Sequence, residues 1–572
     1  MRSQAGSIVL VDNELTSLDG SGGMDTSNCL LARLLASHGW KVHILHCGKA
    51  ADRELDAKVR AQLNQSDIGF IHLEDLPIPL PLQLPGDSDA HAHRSERVRR
   101  ALEELFQTFP FDLVQFAERQ GLGFRTLQAK RAGTAFANTG IVVKVHGMSQ
   151  WMRCNACTYP RHHDELMLDF YERRSFEEAD FPIAVSRSLL DYARSIAWKV
   201  RDEVQVVADA RARPTTANVD QHNGSIVQFY MDCLDKVRSA RRADQALSAR
   251  GLPWVTVAVS HYNLGAYLPE ALASLAAQTY PNSEVLVIDD GSTDPQSRRV
   301  FAAQQRFYPQ FRFAAQNNTG AATTYNRLLA EARGEFFLPF DADNVAAPSM
   351  IEQFVGALTR NPDHAAMVSY ILRFSEGADP VSAQCHAAYR PPGGPHIMGC
   401  LGNVYGDSCG LYRTEALRAV GGWDPHPDNE WEDWHCYVRL VNRGYLVGVV
   451  PEYLFYYRVR PTSRCNSANR YRSRQYIFGA FVREARLSEA DWIALWSALV
   501  GWDHQLQLNH AQPAALPLRY LLADRMNRWL QRVPLMHRFG KKTILSAWNA
   551  WRALASRPHP PAFAEKITGR AA

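Results

Sequence analysis

The chain has 572 residues, 46% of them apolar and 21% charged, and its 63 Lys+Arg against 59 Asp+Glu leave a net charge of +4. That balance excludes a mostly disordered chain, and the length predicts three or four domains rather than a single core. The longest apolar stretches, Tyr445 to Tyr457 and Trp492 to Trp502, fall short of the roughly 20 residues of a spanning helix.

Ile8 to Val11 is too short for the apolar core of a signal peptide, so the protein is expected in the cytosol. Ten scattered cysteines fit a reducing compartment.

The first 200 residues alternate strand and helix signals. Ser7 to Val11 reads as a strand, Gly20, Gly22 and Gly23 as a loop, Asp25 to Ser37 as a helix ended by Gly39, and Val42 to Leu45 as a second strand. Further strands are expected at Leu113 to Phe116, Ile141 to Val145 and Pro182 to Val185, which argues for a parallel sheet wrapped by helices. The Pro-rich stretch Leu76 to Gly86 is expected to cross the surface as a loop. A domain boundary is placed where the pattern weakens, and Ser225 to Arg250 is expected to be one basic helix leading to Pro253. The expected domains are therefore 1–207, a linker 208–252, 253–480 and a basic helical region 481–572.

From Trp254 the alternation is clearer. Val255 to Ser260, Glu284 to Ile288 and Glu335 to Phe340 read as strands, separated by helices at Tyr267 to Gln278 and Ala321 to Ala332. These strands run into Tyr262 and Asn263, Asp289 and Asp290, and Asp341 and Asp343. In an open α/β sheet the ligand crevice lies beyond the carboxyl ends of the strands, so these groups can converge on one pocket. Asp341 and Asp343, two residues apart, would share a face of an extended backbone, and paired hard oxygens suit Mg²⁺ or Mn²⁺ that is also bound by phosphates. A solvated turn gives the same string, so the weight comes from its company: the run Asp289-Asp290-Gly291-Ser292-Thr293-Asp294 and the helix opening Asn317-Asn318-Thr319-Gly320.

With Val257 to Asn263, Phe340-Asp341-Ala342-Asp343-Asn344, Gly421-Gly422-Trp423-Asp424 and Glu432-Asp433-Trp434, the chain over about 253–480 resembles the family 2 glycosyltransferases of GT-A fold. The resemblance implies a nucleotide-sugar donor whose base lies near Tyr262, Asn263 and Asp290, with Asn317, Gly320, Trp423, Glu432 and Trp434 completing the substrate pocket. It also implies that Asp343 holds the metal, that Asp341 lies near the ribose or metal, and that Asp433 is the base in a single inverting displacement onto a glycan or lipid-linked acceptor. Judged alone, Glu432 and Asp433 would simply favour a helix N-terminus; the upstream motifs turn the reading toward catalysis. Where many members carry Tyr-Arg-x-His with a metal-holding His, this chain has Tyr457-Arg458-Val459-Arg460. Arginine neutralises diphosphate oxygens rather than ligating a cation, so Arg458 and Arg460 are expected at the phosphates and the third protein ligand stays open.

The N-terminal region, with Gly20 to Met24, His146-Gly147 and Ala184-Val185-Ser186, resembles the first Rossmann-type half of family 4 GT-B glycosyltransferases, but no room remains before Pro253 for the donor-binding half. Such a remnant would dock an acceptor or pack, leaving catalysis to the second domain. Cys154-Asn155-Ala156-Cys157, followed by His162 and His163, has the spacing of half a zinc site and otherwise reads as a loop. From Gly501 to Ala572 eleven Lys/Arg stand against three acids. That tail either lies on an anionic membrane surface or packs its apolar face on the protein; no nucleic-acid reader motif accompanies it.

Overall fold

The structure, a computed structural model, describes residues 5–13, 24–48, 66–77, 80–86, 89–160, 162–207, 219–244, 251–378, 385–461 and 469–484, with isolated positions besides. The chain divides into two units, and the first, Met1–Thr158 with His163–Leu495, carries both sheets. The second, Tyr159–His162 with Trp496–Ala572, falls almost wholly outside the described residues, and so does the expected basic tail. The Gly20 to Gly23 loop also lies outside them.

The first sheet is built from β1 (Ser7–Asp12), β2 (Lys41–His46), β3 (Gly69–His72), β4 (Leu113–Ala117), β5 (Gly140–Val145), β6 (Phe181–Ala184) and β7 (Gln205–Val206). Their order is β3-β2-β1-β4-β5-β6-β7 and every pair is parallel. Ile8, Val9, Leu10, Ile141, Val142 and Val143 are fully buried, as strands covered on both faces require. The helix expected from Ser225 spans Val219–Asp244 and sets Tyr230 and Leu234 against this sheet's core.

The second sheet has nine strands. Its parallel half is β10 (Arg312–Ala315), β9 (Ser283–Asp289), β8 (Val255–His261) and β11 (Phe336–Asp341). From β11 it continues through β15 (Leu411–Arg413), β13 (His364–Ser375), β16 (Leu446–Val459) and β12 (Val345–Ala346), and β14 (Cys385–Tyr389) pairs with β13. Val257, Val259, Leu338 and Phe340 pack with Leu268, Leu272 and Phe354 in its core.

The two sheets meet across a polar seam. Arg99, fully buried, donates to Glu96 at 2.9 Å (Nε), to Glu103 at 2.6 Å, to Glu452 at 2.9 Å and to the Pro451 carbonyl at 2.8 Å. Arg125 donates to the carbonyls of Pro391 and Arg390 at 2.9 and 3.0 Å, and Tyr370 to Glu96 at 2.9 Å. The Pro-rich stretch departs from the expected surface loop: it holds one helical turn, Leu80–Gln83, and the Pro85 and Gly86 carbonyls accept from Ala388 and Arg390 N–H at 2.8 and 3.1 Å. Prolines lack N–H groups but keep their carbonyls, so such a segment can still lie along the edge of another element.

Candidate active site

The parallel register brings three strand ends to one level: His261 pairs with Asp289, and Ser260 pairs with both Ile288 and Asp341. The residues just beyond them therefore share one edge of the sheet. Asn263, at φ +53°, laces two of the loops together. Its Oδ1 accepts from Thr293 and Asp294 N–H, both at 2.9 Å, and its own N–H donates to Ser292 Oγ at 2.9 Å. Tyr262 beside it is 42% exposed, so its ring is open to a stacking partner.

Asp290 is buried and turned to the next loop. Its carboxylate accepts from Thr319 and Gly320 N–H, both at 2.9 Å, and from Gln316 at 2.8 Å, at the opening of the helix Ala321–Glu331. An anion there is favoured by the free N–H groups and the dipole of a helix N-terminus. Gly291, at φ +71°, makes the approach feasible, since a Cβ would stand 2.6 Å from the Asn318 nitrogen. Asn317 is exposed at the same loop.

Strand β11 stops at Asp341, and a turn closed by Asn344 N–H to the Asp341 carbonyl (3.1 Å) carries Asp343. The two acids are therefore not side by side on an extended strand as their spacing suggests. Tyr325 donates to Asp341 Oδ1 at 2.7 Å. Burial and the charge of Asp343 push the Asp341 carboxyl up to about 7 against the lowering effect of that bond, which marks the two carboxylates as near neighbours. Asp343 Oδ2 accepts from Arg460 Nε at 2.7 Å. Arg458, 5% exposed, donates to the Asp343 carbonyl at 2.9 Å, pairs with Glu270, and lies over the rings of Tyr267 and Phe374. The structure thus spends the Arg458 guanidinium on the turn that carries Asp343 rather than leaving it open toward a phosphate.

Trp423 and Trp434 sit beneath the surface. Trp423, 1% exposed, packs on Tyr325 at 5.3 Å between ring centroids, and its backbone N–H donates to Asn326 Oδ1 at 2.8 Å. Gly422 must lack a side chain there, because a Cβ would collide with Asn326. Trp434, also buried, donates to the Gly399 carbonyl at 2.8 Å. Both therefore support neighbouring residues instead of offering a face to a ligand. Glu432 and Asp433 occupy the first turn of the helix Glu432–Asn442, half-buried, and Asp433 acts electrostatically on the half-buried Tyr389.

Sequence reasoning missed Tyr325 and Asp407. Tyr325 has a weak signal, being on the apolar face of the helix that Gly320 opens. Asp407 has none: it lies in an irregular loop, where burial raises its carboxyl and the charge of Asp343 adds to that rise.

Among the described residues no group of three or more His, Cys, Asp or Glu could hold a metal on its own. Cys154 and Cys157 are exposed, and no zinc site forms at them among those residues. In the first sheet, the His146 and Gly147 N–H groups beyond β5 donate to Glu118, at 3.0 and 2.7 Å, and so are not open to an anion.

Residues 256–421 match the family described as glycosyl transferase family 2, and residues 22–210 match the glycosyl transferase 4-like domain. An uncharacterized glycosyltransferase of Nostoc is 27% identical over 37% of this chain and 67% of its own length. The glycosyltransferase GlyG of Streptococcus pneumoniae is 34% identical over 17% of this chain and 33% of its own. Across the first few curated relatives the match spans between 37% and 67% of the relative's length. The S. aureus TarS structure in complex with UDP-GlcNAc is 19% identical, with a TM-score of 0.35, over 44% of this chain and 73% of that one.

Proposed function

We propose that the second sheet is a GT-A catalytic domain, which transfers a sugar from a nucleoside-diphosphate sugar to a hydroxyl of a glycan or lipid-linked acceptor. The observation that carries the reading is the common level of three parallel strand ends, which bear Tyr262 and Asn263, Asp290, and the Asp341–Asp343 turn. Support also comes from the match to glycosyl transferase family 2 over 256–421 and from bacterial relatives named as glycosyltransferases. From the pairing of two transferase-like regions in one chain we infer a reaction in the assembly of a bacterial surface glycan.

In this reading the nucleoside stacks on the open Tyr262 ring, and the loop laced by Asn263 and Asp290 gives it a rigid floor. Asp343 and Asp341 fit a divalent cation in charge and in donor type: two neighbouring hard carboxylates, one of which already draws a guanidinium to 2.7 Å. Mg²⁺ or Mn²⁺ held there would neutralise the charge that develops on the leaving diphosphate. Asp433 takes the proton of the acceptor hydroxyl as that oxygen attacks the anomeric carbon. The bond from that carbon to the diphosphate oxygen breaks in the same displacement, with inversion. Tyr325 fixes one Asp341 oxygen through its hydrogen bond.

The rival reading is a module that binds nucleotide sugars or glycans without chemistry. Hydrolysis of a nucleotide sugar by the purified protein, lost in Asp433→Asn and in Asp343→Ala, supports the enzyme; binding without turnover supports the module.

A further inference from the structure

Two arginines stand at the end of β16, Arg458 in its last stretch of pairing with β13 and Arg460 just beyond it, and they are held differently. Arg458 is fixed from several sides, by the Asp343 carbonyl, by Glu270 and by two aromatic rings at 4.9 and 4.5 Å. Arg460, one residue beyond the strand, reaches past it and ion-pairs with the Asp343 carboxylate itself through Nε at 2.7 Å, with the Tyr267 ring at 5.5 Å from its guanidinium carbon. A positive side chain thus stands at the very carboxylate that would hold the cation. Asp343 has neighbouring acids, since its charge acts on both Asp341 and Asp407. Without a counter-charge this group of buried or half-buried carboxylates would repel itself.

We propose that Arg460 is a placeholder cation: it neutralises Asp343 in the donor-free protein, then yields Asp343 to a divalent cation and turns to the diphosphate of the arriving donor. The proposal rests on the transferase reading above. Its physical basis is competition and fork geometry. A guanidinium and a divalent cation cannot both take the same carboxylate oxygen, so each weakens the other's hold. A guanidinium has five N–H donors in a fixed fork that matches phosphate oxygens, so the bond given up at Asp343 is replaced at the donor. Metal and donor then bind together, because the departure of Arg460 from Asp343 is compensated only when a diphosphate is present. The sequence departs here from the Tyr-Arg-x-His pattern in a way that exchanges a ligand for a competitor.

The test is titration calorimetry on the full chain, as wild type and Arg460→Gln, with Mn²⁺ alone and then with UDP, GDP, dTDP or ADP in saturating Mn²⁺. Arg460→Gln removes the competitor and the phosphate contact at once, so two constants should move in opposite directions. Mn²⁺ alone should bind about tenfold more tightly than to wild type, and the nucleoside diphosphate about tenfold more weakly. Arg460→Lys keeps the charge and loses the fork, so Mn²⁺ affinity should stay near wild type while nucleotide affinity falls. Circular dichroism melts establish that each variant is folded, and the lysine variant carries the test if the glutamine variant is not. Unchanged or weaker Mn²⁺ binding by folded Arg460→Gln, or unchanged nucleotide affinity in both variants, overturns the placeholder role. If wild type binds none of UDP, GDP, dTDP and ADP with Mn²⁺, the transferase reading falls and this inference with it. If wild type binds one of them and neither constant moves, only the placeholder role falls.

Discussion

Tyr325 and Asp341 are joined by a 2.7 Å hydrogen bond from the phenol to Asp341 Oδ1, and the Tyr325 ring is packed on Trp423. A helix residue and a strand-end carboxylate are thereby locked in one arrangement, with the buried indole as its backing. Tyr325→Phe keeps the ring and removes only the O–H, so the melting temperature should change little. Donor turnover should fall about tenfold, roughly the worth of one hydrogen bond to a charged group. A loss of stability without a loss of turnover would show that the bond serves the fold alone.

Asp433→Asn preserves shape and burial and removes the proton acceptor. Turnover should fall about 10²-fold or more while the affinity for nucleoside diphosphate stays near wild type. Single-turnover kinetics with equilibrium binding separates the two quantities; collapse of affinity with normal turnover of bound donor would exclude Asp433 as the base.

The seam between the sheets bears on whether the second domain can act alone. Arg99 is fully buried among Glu96, Glu103 and Glu452, so removing it leaves carboxylates without their counter-charge. Arg99→Ala should destabilise the chain by about 3–5 kcal/mol, measured by denaturant unfolding. A chain starting near Ala246 loses Arg99, Glu96, Arg125 and the Pro85–Gly86 edge together. Catalysis by the second domain alone, as the sequence implies, would persist in such a fragment provided that its exposed interface does not unfold it. The seam predicts instead that it needs its N-terminal partner to stay folded, and a soluble fragment with a wild-type melting temperature would contradict that.

The strand ends that frame the site were legible in the sequence, because β-branched runs in β8 and β9 and a Phe-rich run in β11 end in polar residues and so fix where the parallel strands stop. β8, β9 and β11 fall within a residue or so of where those runs place them. The seam was not legible. Arg99 belongs to a helix, Ala90–Thr108, whose alternating Arg and Glu read as a solvated face, and only the tertiary contact with Glu452 buries it. Arg458 and Arg460 look alike in sequence, two residues apart, and separate only when β16 lies parallel to β13 and antiparallel to β12, which aims them at different parts of the Asp343 turn. Trp423 and Trp434 carry motif positions, but their burial is a property of packing that no local pattern reports.

Three buried histidines set an acid limit. Burial lowers His46, His261 and His435 to about 4, helped at His46 by His72 and at His435 by Arg439. Each is neutral when folded and takes up a proton near its ordinary value of 6.5 when unfolded. Stability is therefore fully present above about 6.5 and is lost as the pH falls toward 4, by on the order of 3 kcal/mol per histidine. Melting temperatures between pH 8 and pH 4.5 should fall across that window, and His261→Gln should flatten part of the slope. An unchanged slope would show that His261 does not contribute to it.

The central claim is that the edge shared by Tyr262, Asp290 and the Asp341–Asp343 turn is a nucleotide-sugar transferase site. Its most direct test is a screen of UDP-, GDP-, dTDP- and ADP-sugars with purified full chain and Mg²⁺ or Mn²⁺, measuring release of the nucleoside diphosphate, with Asp343→Ala run beside wild type. The account predicts release from at least one donor, abolished by chelator and by Asp343→Ala while the variant keeps its circular dichroism spectrum. Wild-type rates in folded Asp343→Ala, or no turnover and no binding of any donor by the folded wild type, would contradict it.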